Sequence, residues 1–287
     1  MIDWPIGIST GCFYEKSIFD CLEAIMSNGF SILEISSALQ HLNYHDRGMV
    51  QSVAKTIKEL GMEAYSFHAP FSDDIDIAAL DEAHYERSVN EIMLAIEAAS
   101  ILNTRYFLLH PGPSRESRQA ENEYYQRMTR VSEAIKKMAR QCKKLGMLLI
   151  LENMLPHLLF SSPKDILWII GSVEETNIGI CLDTGHAFLS DELYAIAHKF
   201  AGHTQLIHAH DNYGKHDDHL PPGKGRIDWK YFLREAAESG FNGGLIIELN
   251  KGDKSTEKIL EEARHSRALM REILREIELT LPPISGE

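Results

Sequence analysis

A short apolar run, a loop and an amphipathic helix that stops at a glycine recur along this chain, and a unit of that kind has few ways to bury its apolar faces. Ile6-Gly7-Ile8-Ser9 is the first run; it leads to a turn at Gly11 and a helix over about residues 17–28 that stops at Gly29. Ser31-Ile32-Leu33-Glu34-Ile35 is the second, followed by a helix over about 48–60 that closes at Gly61. Further strands are expected at 63–68, 105–110, 147–152, 178–183, 205–210 and 244–249. Helices are expected over about 80–102 and 121–145, after the Ser162-Pro163 start, and over about 256–278 ahead of a Pro282-Pro283 tail. Strands alternating with helices every roughly 25–40 residues predict an α/β chain with a parallel sheet, and eight strands close a TIM (β/α)8 barrel. An open doubly wound sheet is the alternative, but no Gly-rich dinucleotide fingerprint follows the first strand. The 287 residues show no compositional break and are read as one domain, 1–287.

Charge and cysteine usage narrow the function classes. Lys and Arg total 29 against 42 Asp and Glu, a formal net charge of -13. That balance argues against a general nucleic-acid surface and for a small, locally bound substrate. Cys12, Cys21, Cys142 and Cys181 form no CxxC pair, and residues 1–11 carry no basic segment leading into a long apolar one. The expectation is a reducing cytoplasm without a signal peptide. No apolar run approaches the roughly 20 residues that span a bilayer.

The strand ends carry the chemistry. His68 ends strand three, His110 strand four, Glu152 strand five and Asp183 strand six; His208 and Glu248 lie near the ends of strands seven and eight. In a barrel these ends converge on one face, where active sites of the fold are found. Each residue alone has a structural explanation, such as a hydrogen-bonded core histidine or a carboxylate capping a loop. Ile180-Cys181-Leu182-Asp183-Thr184-Gly185-His186 shows the choice clearly: Asp183 either caps the next helix with His186 packed beside it, or the two supply oxygen and nitrogen donors to Zn²⁺ or Mn²⁺. Several polar side chains at successive strand ends are costly to bury without a common partner, and a divalent cation satisfies them all. The loop after strand seven adds an Asp217-x-His219 pair, followed by Pro and Gly residues that fix a turn near the mouth. His210 shares the face of His208 by alternation and is read as a residue that supports the ligands or contacts substrate. Asp211, His216 and Asp218 read as loop polarity, Cys181 as a small buried thiol, and Trp4, Trp168 and Trp229 as packing or rim residues.

The motifs Ser66-Phe67-His68-Ala69-Pro70, Leu109-His110-Pro111-Gly112, Leu151-Glu152-Asn153, Leu182-Asp183-Thr184-Gly185-His186, Ile207-His208-Ala209-His210-Asp211, Asp217-Asp218-His219 and Ile247-Glu248 resemble those of the xylose isomerase-like TIM-barrel superfamily. That superfamily holds sugar and sugar-phosphate isomerases and epimerases together with endonuclease IV-type apurinic/apyrimidinic endonucleases. The resemblance runs from Ile6 to about Leu249. In the epimerase branch it implies one Mn²⁺ or similar ion held by Glu152, Asp183, His208 and Glu248. Glu152 and Glu248 then exchange a proton with the carbon next to a metal-polarised carbonyl, from opposite faces. In the endonuclease branch it implies three zinc ions on His68, His110, Glu152, Asp183, His186, His208, Asp217, His219 and Glu248. One to three ions per chain are therefore expected.

Four carboxylates among those nine residues would leave about +2 with three divalent ions, suited to a phosphate group, and about -2 with one ion, suited to a neutral sugar. Against DNA stand the acidic total and the loop after strand two, 36–47, which offers only Arg47 as a cation. The segment 217–229 looks more like that of sugar isomerase/epimerase members. The reading adopted is a metal-dependent sugar or sugar-phosphate isomerase/epimerase, with Lys224 and Arg226 as candidate phosphate anchors. A zinc phosphodiesterase is the alternative, and a catalytically inactive barrel the third class. Homo-oligomerisation is left open.

Overall fold

A computed structural model of the chain describes residues 2–114 and 121–280; the Pro282-Pro283 tail lies outside the described residues. Eight strands, β1 (Ile6–Ser9), β2 (Ile32–Ser36), β3 (Glu63–His68), β4 (Tyr106–Leu109), β5 (Leu148–Glu152), β6 (Ile178–Asp183), β7 (Thr204–Ala209) and β8 (Gly244–Ile247), follow one another around a closed parallel barrel. Closure is explicit in the register: Ile8 pairs with Leu33 of β2 on one side and Ile247 of β8 on the other. The open-sheet alternative is thereby removed.

Helices α1 (Phe19–Ser27), α2 (Arg47–Glu59), α3 (Glu82–Ile101), α4 (Glu121–Lys144), α5 (Pro163–Val173), α6 (Thr184–Leu189), α7 (Leu193–Lys199), α8 (Trp229–Glu238) and α9 (Thr256–Thr280) lie between and after the strands. Strands covered by helices outside and by their own side chains inside read as continuous apolar runs. Start signals act locally: the side chains of Asp46, Asp81, Ser162 and Asp228 each accept a backbone N–H of the first turn of α2, α3, α5 and α8. The outer core between strands and helices includes Phe67, Phe107, Leu149 and Leu182. The inside of the barrel is a smaller buried cluster of Tyr65, Leu108, Ile150, Cys181, Leu206 and Ile246.

Two register shifts adjust the alternation. Leu33 and Glu34 of β2 face Ala64 and Ser66 of β3, so Tyr65 is an extra residue. The bulge lets Tyr65 join the inner cluster while His68, an odd number of residues on, still reaches the upper face. Strands β4, β7 and β8 end before the sequence reading places their ends, and His110, His210 and Glu248 project from the first residues of the loops beyond. The sequence reading also lacked helices α6, α7 and α8. The first two, of six and seven residues, are too short to show a helical period. All four cysteines are free and buried, and no helix among the described residues is long and apolar enough to cross a membrane.

Candidate metal centre

Three histidines in the strand-end set have one ring nitrogen tied to a fixed acceptor and the other turned inward. His68 Nδ1 donates to the carbonyl of Ala69 (2.9 Å), and its Nε2 faces Glu152 Oε2 at 3.5 Å. His186 Nδ1 donates to the carbonyl of Asn153 (2.8 Å), and its Nε2 faces Asp217 Oδ2 at 3.3 Å. His208 donates through Nε2 to Glu34 Oε2 (3.0 Å), and its Nδ1 faces Glu248 Oε2 at 3.2 Å, Glu152 Oε1 at 3.4 Å and Asp183 Oδ2 at 3.9 Å. An outer partner of this kind fixes the tautomer and directs a lone pair at the centre.

Among the described residues the donors form five groups whose ligand atoms lie within 4.8 Å of one another: His68, His110 and Glu152; Glu152, Asp183 and His208; His186, His210, Asp217 and His219; Glu34, His208 and Glu248; and Asp183, His210 and Glu248, the last joining the second and third. All nine strand-end and loop residues expected as ligands are brought to this one region. In the first group His110 Nε2 lies 3.2 Å from Glu152 Oε2, with the ring of Phe71 stacked on His110 at 4.0 Å. In the third, Asp217 Oδ2 is 3.0 Å from His219 Nε2.

The Leu-Asp-Thr-Gly-His stretch combines the two roles set against each other in the sequence. Asp183 Oδ1 caps α6 by accepting the backbone N–H of His186 (2.7 Å), while the same carboxylate takes His210 Nε2 at 2.8 and 2.9 Å. Thr184 ties β6 to β7 by donating to the carbonyls of His208 and His210 (3.0 and 2.8 Å). Gly185 leaves the room the His210 ring occupies, since a Cβ there would stand 2.0 Å from it. Asn153 clamps the ends of β5 and β6, accepting from Asp183 N (2.8 Å) and donating to Asp183 O (3.0 Å). His210 is fully buried between Asp183 and the ring of His219, stacked at 3.8 Å.

Electrostatics follow from this packing. Burial works against a charged imidazole, yet the Glu152 carboxylate holds His68 up at about 9. Asp183 and Asp217 likewise hold His186 at about 10, and Asp217 with Glu248 holds His219 at about 9. Burial prevails at His110, which is lowered. Burial would raise Glu152 and Glu248, but His110 and His208 hold the first, and His208 with His219 the second, below the usual carboxylate range. Burial pushes the Cys181 thiol, inside the barrel beneath His208, well up. Pairing is incomplete: His208 Nδ1, Glu152 Oε2, Asp217 Oδ1 and His210 Nδ1 are buried without a hydrogen-bond partner. Orphaned nitrogen and carboxylate oxygen atoms that face one another are the donor set a divalent cation fits.

Two residues in this region escaped the sequence reading. Glu34, fully buried on β2, accepts from Ser66 Oγ (2.9 Å) as well as His208; its only signal was a lone charge in an apolar strand. Asp211, loop polarity by its sequence context, is instead part of the packed interior. It is fully buried, and its carboxylate accepts from Asn212 N, Gly223 N, Ile227 N and Trp229 Nε1 at 2.9–3.1 Å. Gly225 packs so closely on it that a Cβ would stand 2.2 Å from Asp211 Oδ1. Trp229 is thus a hydrogen-bonding residue as well as a packing one.

His68, His219 and Glu248 open into a cavity of about 870 Å³, within the range of small-molecule sites. Its walls carry hydroxyl and amide groups, including Tyr14, Ser36, Tyr44 and Asn250, and apolar surface from Leu39 and Phe71. The cations in its lining are Arg87 and Lys251; Lys224 and Arg226 are exposed and lie outside it.

An eight-stranded parallel barrel with histidines and carboxylates gathered beyond the strand ends defines a class, and the comparisons name it. The chain belongs to the xylose isomerase-like TIM barrel family, whose model matches residues 22–273. An uncharacterized protein of Methanocaldococcus jannaschii is 27% identical over 282 residues, 96% of this chain and 90% of that one. The crystal structure of a D-tagatose 3-epimerase-like protein is 25% identical and superposes with a TM-score of 0.84 over 97% of this chain and 100% of the other. A probable endonuclease 4 of Halothermothrix orenii is 28% identical over 200 residues, 63% of this chain and 69% of that one.

Proposed function

We propose that this chain is a divalent-metal-dependent isomerase or epimerase of a sugar or sugar phosphate, working as one barrel domain in a reducing cytoplasm. One observation carries the reading: Glu152 and Glu248, from β5 and from just beyond β8, both approach His208 Nδ1, at 3.4 and 3.2 Å, and Glu248 faces the 870 Å³ cavity. Glu152, Asp183, His208 and Glu248 would hold the ion. When bound, a divalent cation supplies Lewis-acid polarisation of a substrate carbonyl.

The protein's own groups do the rest. His208 and His219 keep Glu248 ionised at neutral pH, so an Oε atom is ready to take the proton from the carbon next to the carbonyl. For inversion Glu152, from the other strand, would deliver a proton taken up from solvent to the opposite face of the carbon, and the proton on Glu248 would pass to solvent before the next turnover. Hydroxyl-bearing walls at Tyr14, Ser36 and Tyr44 orient the sugar, and Phe71 covers one side of His110. The superposition of 97% of the chain on the 3-epimerase-like protein supports this reading.

Protein loaded with Mn²⁺, Co²⁺ or Zn²⁺ and incubated in D₂O with a panel of ketoses and their phosphates should incorporate deuterium next to the carbonyl. A panel with no exchange, together with cleavage of an abasic-site duplex and about three zinc ions per chain, would favour the phosphodiesterase. The donor group of His186, His210, Asp217 and His219 is the observation that keeps that second reading open.

A further inference from the structure

The opposite end of the barrel holds a groove of about 480 Å³ between the starts of β1 and β2 and one face of α9, lined by Gly29, Ser31, Arg264, Arg267, Arg271 and Arg275. Four arginines in one groove are unexpected in a chain of net charge -13. They follow one stripe of α9, and the 11 residue steps from Arg264 to Arg275 extend about 16 Å along the axis.

The groove is partly prebuilt. Arg267 lies over the ring of Phe30 at 4.1 Å and donates to the carbonyls of Gly29 and of Asn28 (3.2 Å). Burial, with Arg271 and Arg264 close by, lowers its pKa, the direction like charges impose. Arg271 meets Asp3 at 3.2 Å, and that carboxylate is 80% exposed. Arg264 and Arg275 make no ion pair within 4 Å among the described residues; Glu261, one turn before Arg264, is engaged by Lys258 at 3.0 Å.

We infer that this groove is a second ligand site, which binds a small anion carrying two or more phosphoryl groups. Arginine suits that class because its planar fork donates two parallel hydrogen bonds to phosphate oxygens. The stripe is longer than one phosphoryl group can span, and a 480 Å³ groove is the size of a small-molecule site. Strands of four to six residues put it roughly 13–20 Å from the histidines and carboxylates. Its occupant is therefore distinct from the reacting substrate.

Calorimetric titration of pyrophosphate tests this in the metal-loaded protein and in Asp183→Asn, where chelation of a bound ion is reduced. Saturable binding is expected in both, tightening as salt is lowered. Arg264→Ser and Arg275→Ser, which spare the packed Arg267, should each weaken it by about tenfold or more, and Arg→Lys at the same positions should weaken it less. Four outcomes would overturn the inference: no saturable binding, binding indifferent to both substitutions, loss of binding in Asp183→Asn, or tighter binding of an oligoglutamate peptide or duplex DNA than of pyrophosphate.

Discussion

At the C-terminal ends of the strands histidine and carboxylate side chains meet at 2.8–4.0 Å, whereas at the N-terminal ends four arginines share a groove in which Asp3 is their one ion-pair partner among the described residues. The upper face balances itself when no cation is bound, because protons on His68, His186 and His219 stand where metal charge would otherwise stand. The lower face has no such internal answer. A buried site that must form before its ligand arrives needs counter-charges from its own chain; a groove open to water can leave them to the ligand.

The largest effect that would sharpen this contrast is expected from Glu248→Gln, which keeps the shape and removes the base. Turnover should fall by about 10²–10⁴-fold, while pyrophosphate binding at α9 stays as in the parent; loss of both would mean that the two ends are coupled. Glu34→Gln comes next. With the acceptor of His208 Nε2 weakened, metal affinity should drop by roughly 10–100-fold, read by competition with a chromophoric chelator, and an unchanged affinity would show that His208 is oriented by packing alone.

Asp211→Asn probes the loop that carries Asp217 and His219. Replacing one acceptor oxygen by an amide leaves buried N–H groups without partners and should cost about 1–3 kcal/mol, seen as a lower midpoint in urea with an unchanged slope. A midpoint within error of the parent would return Asp211 to mere loop polarity.

The last effect concerns pH. In metal-free protein the folded-state values of about 9, 10 and 9 for His68, His186 and His219 lie above the unfolded value. Their contribution is therefore fully present below about pH 6.5 and is lost as pH rises through 9–10. Thermal midpoints of the apo protein should decline over that window, and those of the metal-loaded protein should decline less, because its ligands are already deprotonated. Parallel profiles would contradict the view that protons and metal compete for the same atoms.

Most of the barrel was legible in the sequence because strands buried on both sides are continuous apolar runs and several helices close at a glycine, at Gly29, Gly61, Gly146 and Gly240. The donors were legible for the same reason: a histidine or carboxylate ending such a run has nowhere neutral to go. What stayed hidden depended on other strands or distant loop positions. Glu34 matters because β2 faces His208 across the barrel, 174 residues away. Tyr65 joins the interior only because of a bulge that no alternation announces. The cavity cations, Arg87 and Lys251, come from α3 and the loop after β8, whereas Lys224 and Arg226 drew notice by sitting beside a recognisable motif.

Asp211 has a last consequence, for engineering. Its backbone pairs with Leu220 in both directions at 2.8 Å, and its carboxylate reaches Gly223, Ile227 and Trp229, so residues 211–229 close upon themselves. Such a segment is a cassette. A chimera that exchanges all of 211–229 with a relative should carry the loop's shape intact, while one that exchanges only 215–229 would part the acceptor Asp211 from Gly223, Ile227 and Trp229 that donate to it.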